Sequence, residues 1–257
     1  MTILDREVLF DQHGRMRDLP PTRPLFVTPS GIEVAGFQAE GDAALQWWER
    51  LRLAHPESGL WPLLMDDETP EYLTESYNGS RKNWSPADAR ALDGAAVLTG
   101  WGERYLDTSS PGYAVTLRDE LAGKGVWPEE PARCGFGLAN DGNGQPTEVT
   151  VALVPAIASW LVPVTLEYDD FWTPDPAEHA AIMRYWHGRY GAEPVVWTGT
   201  TLEYAVSRPP ATRPDALALA WEYRQYNDGE YDYYRADTLT DLAASLLDAP
   251  VWRMWWD

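Results

Sequence analysis

The chain has 257 residues, 44% of them hydrophobic, enough for a sizeable core in one large domain or two of roughly 100–150 residues. Forty acidic residues against 20 basic ones give a formal net charge of −20 and a pI near 4.4, which argues against nucleic acid as a partner, because that affinity comes from Lys and Arg displacing counterions. The lone cysteine, Cys134, excludes an intrachain disulfide and a cysteine-based metal cluster; with no basic-then-apolar leader at the start and no apolar run of roughly 20 residues, the expectation is a cytoplasmic protein with no membrane contact.

Residues 1–24 carry mixed charge and end in Leu19-Pro20-Pro21-Thr22-Arg23-Pro24, a stretch read as an N-terminal arm because proline breaks helices and central strands. Leu25 to Phe37 predicts a hairpin turning at Pro29-Ser30-Gly31, with Ile32 and Val34 on one face. A helix follows, with Asp42 as N-cap, an apolar stripe of Ala44, Trp47, Trp48 and Leu51, and a stop at His55-Pro56. Gly59 to Met65 reads as a buried strand, and the acidic stretch through Asp66, Asp67, Glu68, Glu71 and Glu75 as a solvated loop. Patterning then weakens to Thr108, apart from Ser85-Pro86-Ala87-Asp88, where cap, proline and N3 acid predict a short helix. The run Gly123 to Pro131 is the linker candidate, dividing an N-terminal α+β region (25–130) from a C-terminal α+β domain (131–257) that could pack with it as one unit.

In the second half, Phe136-Gly137-Leu138 and Glu148 to Val154 flank a turn cluster and read as a hairpin, and the apolar run Val151 to Leu166 as one or two buried strands. Asp175-Pro176-Ala177-Glu178 opens a helix that runs to Tyr190 and stops at Gly191, burying Ile182, Met183, Trp186 and Tyr190. Val195 to Val206 predicts a hairpin turning at Thr198-Gly199-Thr200, and helices open at Thr212-Arg213-Pro214-Asp215 and Thr238-Leu239-Thr240-Asp241. The ending, Val251-Trp252-Arg253-Met254-Trp255-Trp256-Asp257, predicts a closing strand covered on both faces, since a terminus frays unless buried apolar surface holds it. Strands bunched as hairpins with helices interspersed between them predict an α+β fold, mostly antiparallel, with the Trp-rich C-terminal strand buried in the core.

Ser58-Gly59-Leu60-Trp61-Pro62-Leu63-Leu64, Leu153-Val154-Pro155-Ala156, the segment from Arg184 to Ala192, Arg208-Pro209-Pro210-Ala211-Thr212 and the terminal Trp252-Arg253-Met254-Trp255-Trp256-Asp257 occur in this order. Together they resemble the bacterial domain of unknown function 4253, frequent in actinobacteria, over roughly Thr147 to Asp257 with the Gly-Leu-Trp-Pro element extending it into the first half. The resemblance implies no chemistry, since the family has no established activity. Where such chains often carry a Cys-Pro-Asp segment after the penultimate helix, this one has Asn227-Asp228-Gly229-Glu230-Tyr231-Asp232-Tyr233-Tyr234, so a cysteine-dependent activity would be missing here.

The best binding candidate is the aromatic and acidic run from Trp221 and Glu222 through Tyr223, Tyr226, Asp228, Glu230, Tyr231, Asp232, Tyr233 and Tyr234. Tyrosine gives contact area at low entropic cost and carboxylates pair with a partner's Arg or Lys; the bland alternative is a helix end and a solvated loop. The leading expectation is a non-catalytic acidic protein binding a basic protein partner, such as an immunity protein against a cationic toxin or an adaptor. A rival reading is a hydrolase or metal-dependent enzyme built on Asp169, Asp170, Glu178 and His179; a third is a self-associating structural domain. Asp175 and Glu178 are already explained as cap and N3 acid. Pro146 and Ala152 stand where a calcium loop beginning at Asp141 needs its glycine and bidentate glutamate, and no phosphate loop, dinucleotide fingerprint or nucleophile elbow occurs. No cofactor, metal or catalytic residue is therefore assigned.

Overall fold

The computed structural model describes residues 18–76, 84–138, 147–168, 174–227 and 236–255. Its centre is a seven-stranded sheet made of β1 (Arg23–Val27), β2 (Glu33–Glu40), β3 (Leu60–Met65), β4 (Glu148–Pro155), β5 (Ala192–Trp197), β6 (Thr201–Val206) and β7 (Val251–Trp255), in the spatial order β1-β2-β4-β3-β5-β6-β7. Every neighbouring pair is antiparallel except β3–β5, which is parallel. The fold is α+β, with helices between the strand groups. Strands from both sides of the Gly123–Pro131 segment interleave in this one sheet, because β4 inserts between β2 and β3.

Arg23 and Pro24, expected in the arm, belong to β1; Pro24 is tolerated there because β1 is an edge strand. The β1–β2 hairpin forms as predicted, with Val34 buried. Helix α1 (Gly41–Ser58) then packs on β3 and its neighbours. Its N-cap is Glu40 and not Asp42, which sits inside the first turn; the helix runs past Pro56 and stops at Gly59, whose left-handed backbone (φ 68°) closes it. The indole N–H groups of Trp48 and Trp61 both donate to the Pro194 carbonyl, at 3.2 and 3.1 Å, which ties α1 and β3 to β5.

The acidic stretch after β3 is not all loop: Thr69–Ser76 is helical (α2), and Asp66 accepts from the Thr69 N–H at 2.8 Å. The short helix α3 (Pro86–Ala91) has the predicted Ser85–Asp88 capping box. Two helices escaped the periodicity, α4 (Gly94–Thr108), capped by Asp93, and α5 (Pro111–Leu121), entered through its proline. Phe136–Leu138 forms no strand; β4 instead pairs with β2 and β3, and the chain after Pro155 turns into a 3-10 turn (Ser159–Leu161) and helix α6 (Val162–Leu166), not a second strand. Residues Val149–Val154 are buried on both faces, which explains why their apolar run gave no alternation.

Helix α7 (Pro176–Tyr190) has the predicted Asp175 cap, Gly191 stop and buried face of Ile182, Met183, Trp186 and Tyr190. Helices α8 (Arg213–Tyr226) and α9 (Leu239–Leu246) start at their predicted threonine caps. The tail forms β7 against β6 at the sheet edge. Trp252 and Met254 are wholly buried, whereas Val251, Arg253 and Trp255 are only half-buried, so the strand is covered fully on one face. No described helix is long and apolar enough to cross a membrane.

Candidate functional site

The described part of the aromatic and acidic run turns inward. On α8, Leu219, Ala220, Tyr223 and Tyr226 share the buried face at helical spacing, and the two tyrosines are 1% and 2% exposed. They are core residues, not surface ones. The Tyr226 ring meets Trp186 edge-on at 4.9 Å, Trp221 meets Tyr105 at 6.2 Å, and Glu222 accepts from Tyr185 Oη at 2.8 Å and Trp186 Nε1 at 2.9 Å. Burial raises the Glu222 pKa, against the pull of those hydrogen bonds and of Arg189. Asp228, Glu230, Tyr231, Asp232, Tyr233 and Tyr234 lie outside the described residues.

His179 is fully buried within an aromatic cage of Tyr168, Trp197 and Tyr226, at ring separations of 6.0, 5.9 and 5.2 Å. Its Nδ1 shares a hydrogen bond with the Tyr226 hydroxyl, and burial lowers its pKa from 6.5 to about 3, so the ring is neutral. Glu178, its neighbour on α7, is half-buried, and Asp169 and Asp170 lie outside the described residues. Among the described residues no group of three His, Cys, Asp or Glu side chains could hold a metal ion.

The fold instead gathers carboxylates at one end of the sheet. Because β2 and β3 flank β4 and run antiparallel to it, their C-terminal ends meet the N-terminal end of β4. Glu40 and Glu148 stand opposite each other there as the last register pair, both exposed. Asp42 follows on the first turn of α1, and Asp66, Asp67 and Glu68 leave β3 alongside. Gln38 joins the three strand ends: its amide donates to Asp67 Oδ1 at 3.2 Å and its carbonyl accepts from Thr150 Oγ1 at 3.2 Å. No ion pair to a described cation involves Glu40, Asp42, Asp66, Asp67, Glu68 or Glu148. Like charges directly opposite across strands disfavour pairing, and the register puts Glu40 and Glu148 in that relation. Sequence reasoning missed it because Glu40 and Glu148 meet through a strand pairing between distant segments.

Comparison with known proteins bears on the C-terminal part alone. No curated protein and no solved structure matches the chain. Residues 150–257, which hold most of β4 and everything to the end of the tail, match the family described as "Domain of unknown function (DUF4253)".

Proposed function

We propose that this chain is a non-catalytic, cytoplasmic binding protein that captures a basic protein partner at the acidic end of its sheet, as an immunity protein covers a cationic toxin or an adaptor holds a component of an assembly. The observation that carries this reading is the Glu40–Glu148 register pair, two exposed carboxylates opposite each other with Asp66, Asp67 and Glu68 beside them and no ion pair to a described cation. A partner's lysines and arginines would relieve that repulsion on binding, and the overall charge of −20 would steer them there. The rival metal-dependent reading gains nothing from His179, whose ring is enclosed by Tyr168, Trp197 and Tyr226 and whose Nδ1 is taken by the Tyr226 hydroxyl.

The test is affinity capture from the native cell extract on the immobilised full chain, beside a variant carrying Glu40→Gln, Asp67→Asn and Glu148→Gln. The expected result is one basic protein, released as salt shortens the screening length from roughly 8 Å to roughly 3 Å and absent from the variant. Capture that survives both high salt and the substitutions would overturn the proposal.

A further inference from the structure

The opposite end of the sheet has the opposite character. A cavity of about 360 Å³ opens between α1 and the start of β5, lined by Trp48, Arg52, His187, Glu193, Ser207 and Arg208 among others. That is the size of a small-molecule site. Two guanidinium groups face a single carboxylate there, in a chain whose acids outnumber its bases two to one.

Both arginines are held in place with donors to spare. Arg52 Nη1 pairs with Glu193 Oε2 at 3.2 Å, its guanidinium carbon lies 5.6 Å from the Trp48 ring, and its side chain keeps 32% of its surface open. Arg208 Nη2 donates to the carbonyls of His187 and Gly188 at 3.2 and 2.9 Å, where α7 ends. Each guanidinium has five N–H donors in a fixed fork, so one edge anchors the side chain and another can bind. Gly191 keeps the approach clear: a Cβ on it would come within 2.0 Å of Ser207 Oγ and 3.2 Å of Arg208 Nη1. His187 also lines the cavity, and its Nδ1 is buried without a hydrogen-bond partner.

We infer that this cavity binds the oxyanion head of a small ligand, a carboxylate or a phosphate, held by Arg52 and Arg208 with Ser207 and His187 completing the contacts, while Trp48, Val206 and Pro250 wall its apolar part. Preorganised guanidinium groups suit both anions, because their paired N–H bonds match two oxygens at once.

The test is a titration of the isotope-labelled full chain, followed by amide and guanidinium resonances, with benzoate in one arm, phenyl phosphate in a second and sodium chloride at matched ionic strength as control. Saturable shifts at Gly191, Ser207 and the Arg52 Nε–H with either organic probe are expected, and the arm that saturates identifies the anion. Arg52→Gln should weaken that binding by about tenfold or more, as loss of a charge-assisted contact does. Arg208→Gln should do the same; where loss of its contacts to the end of α7 unfolds the chain, Arg52→Gln decides alone. Shifts that stay linear and match the chloride control in both arms, or binding that persists undiminished in a folded Arg52→Gln variant, would overturn the inference.

Discussion

Glu203 and Arg253 face each other across the last strand pair, with Arg253 Nε 3.0 Å from Glu203 Oε1, and the glutamate is wholly buried while the arginine keeps a partly open side chain. Both carboxylate oxygens also accept from the Gly137 N–H, at 3.0 and 3.1 Å. Burial nevertheless raises the Glu203 pKa above its ordinary 4.5, so desolvation outweighs the attraction of Arg253 and Gly137. The pair therefore fixes β7 and the 131–138 segment against β6 more than it stabilises the fold.

Breaking one half of this pair should cost far more than replacing both. Arg253→Met, which leaves the buried carboxylate without its cation, is expected to lower unfolding free energy by about 3–5 kcal/mol, and the Glu203→Gln/Arg253→Met double variant to recover most of it, measured by urea unfolding. The pH dependence has a definite sign. A carboxyl whose folded pKa is raised stabilises fully below its unfolded pKa and loses that contribution as pH rises through the folded value. Glu203→Gln should therefore compare more favourably with wild type at pH 7 than at pH 4; the reverse order would show that the charged pair is net stabilising.

His179 titrates in the other direction. Its folded pKa of about 3 against 6.5 unfolded means that stability is fully present above pH 6.5 and lost as pH falls toward 3, on the order of 5 kcal/mol across the whole window. His179→Phe should cost about 1–3 kcal/mol at neutral pH, because the Tyr226 hydroxyl loses its ring nitrogen, yet flatten the decline between pH 6.5 and 4. An unchanged slope in denaturant titrations at the two pH values would refute the neutral, caged histidine.

Two glycines of α4 offer an internal control. A Cβ on Gly94 would lie 2.3 Å from the Ala181 carbonyl oxygen, a backbone atom of α7 that cannot step aside, whereas nothing lies within 4 Å of one on Gly100. Gly94→Ala should destabilise by about 2 kcal/mol or more through overpacking of the α4–α7 contact. Gly100→Ala should stabilise by about 0.5–1 kcal/mol through helix propensity. Thermal melts of the two variants would separate these effects.

The tail gives a similar contrast. Trp252 is wholly buried and meets Trp186 and Tyr190 edge-on at 6.0 and 5.2 Å, while Trp255 is half-buried. Trp252→Ala should cost about 3–5 kcal/mol and deletion of residues 252–257 should abolish cooperative unfolding; Trp255→Ala should cost less. A truncated chain that unfolds as sharply as the full one would count against the tail as a closing strand.

Local chemistry was the readable part of the sequence. Ser85, Asp175, Thr212 and Thr238 cap helices where they were expected to, because a cap and its N3 partner lie within one turn. The β5–β6 hairpin follows from alternation and a short turn, and the tail reads as a closing strand from its apolar content, but its pairing with β6 lies across the intervening helices α8 and α9 and had no local signal. The insertion of β4 between β2 and β3 was hidden, since both of its faces are buried and its partners are far along the chain. Tyr223 and Tyr226 were misplaced for a related reason: their acidic neighbours suggested solvent, but their helical phase put them with Leu219 and Ala220. Arg52, His187 and Arg208 converge only in space, and the one sequence hint was that His187 and Arg208 fall in segments that carry the family resemblance.

The position of β4 also sets the order in which the sheet can be assembled. As the chain is synthesised, β2 and β3 are complete well before Glu148–Pro155, the strand that must separate them, and β3 meets its parallel neighbour β5 only later still. Most pairings in the centre of the sheet are thus between segments far apart in sequence, the feature that slows folding and prolongs exposure of apolar strand edges. During that interval Trp61, Leu63 and Leu64, buried in the finished sheet, lack both of their partner strands, so the apolar surface of β3 waits uncovered for the second half of the chain.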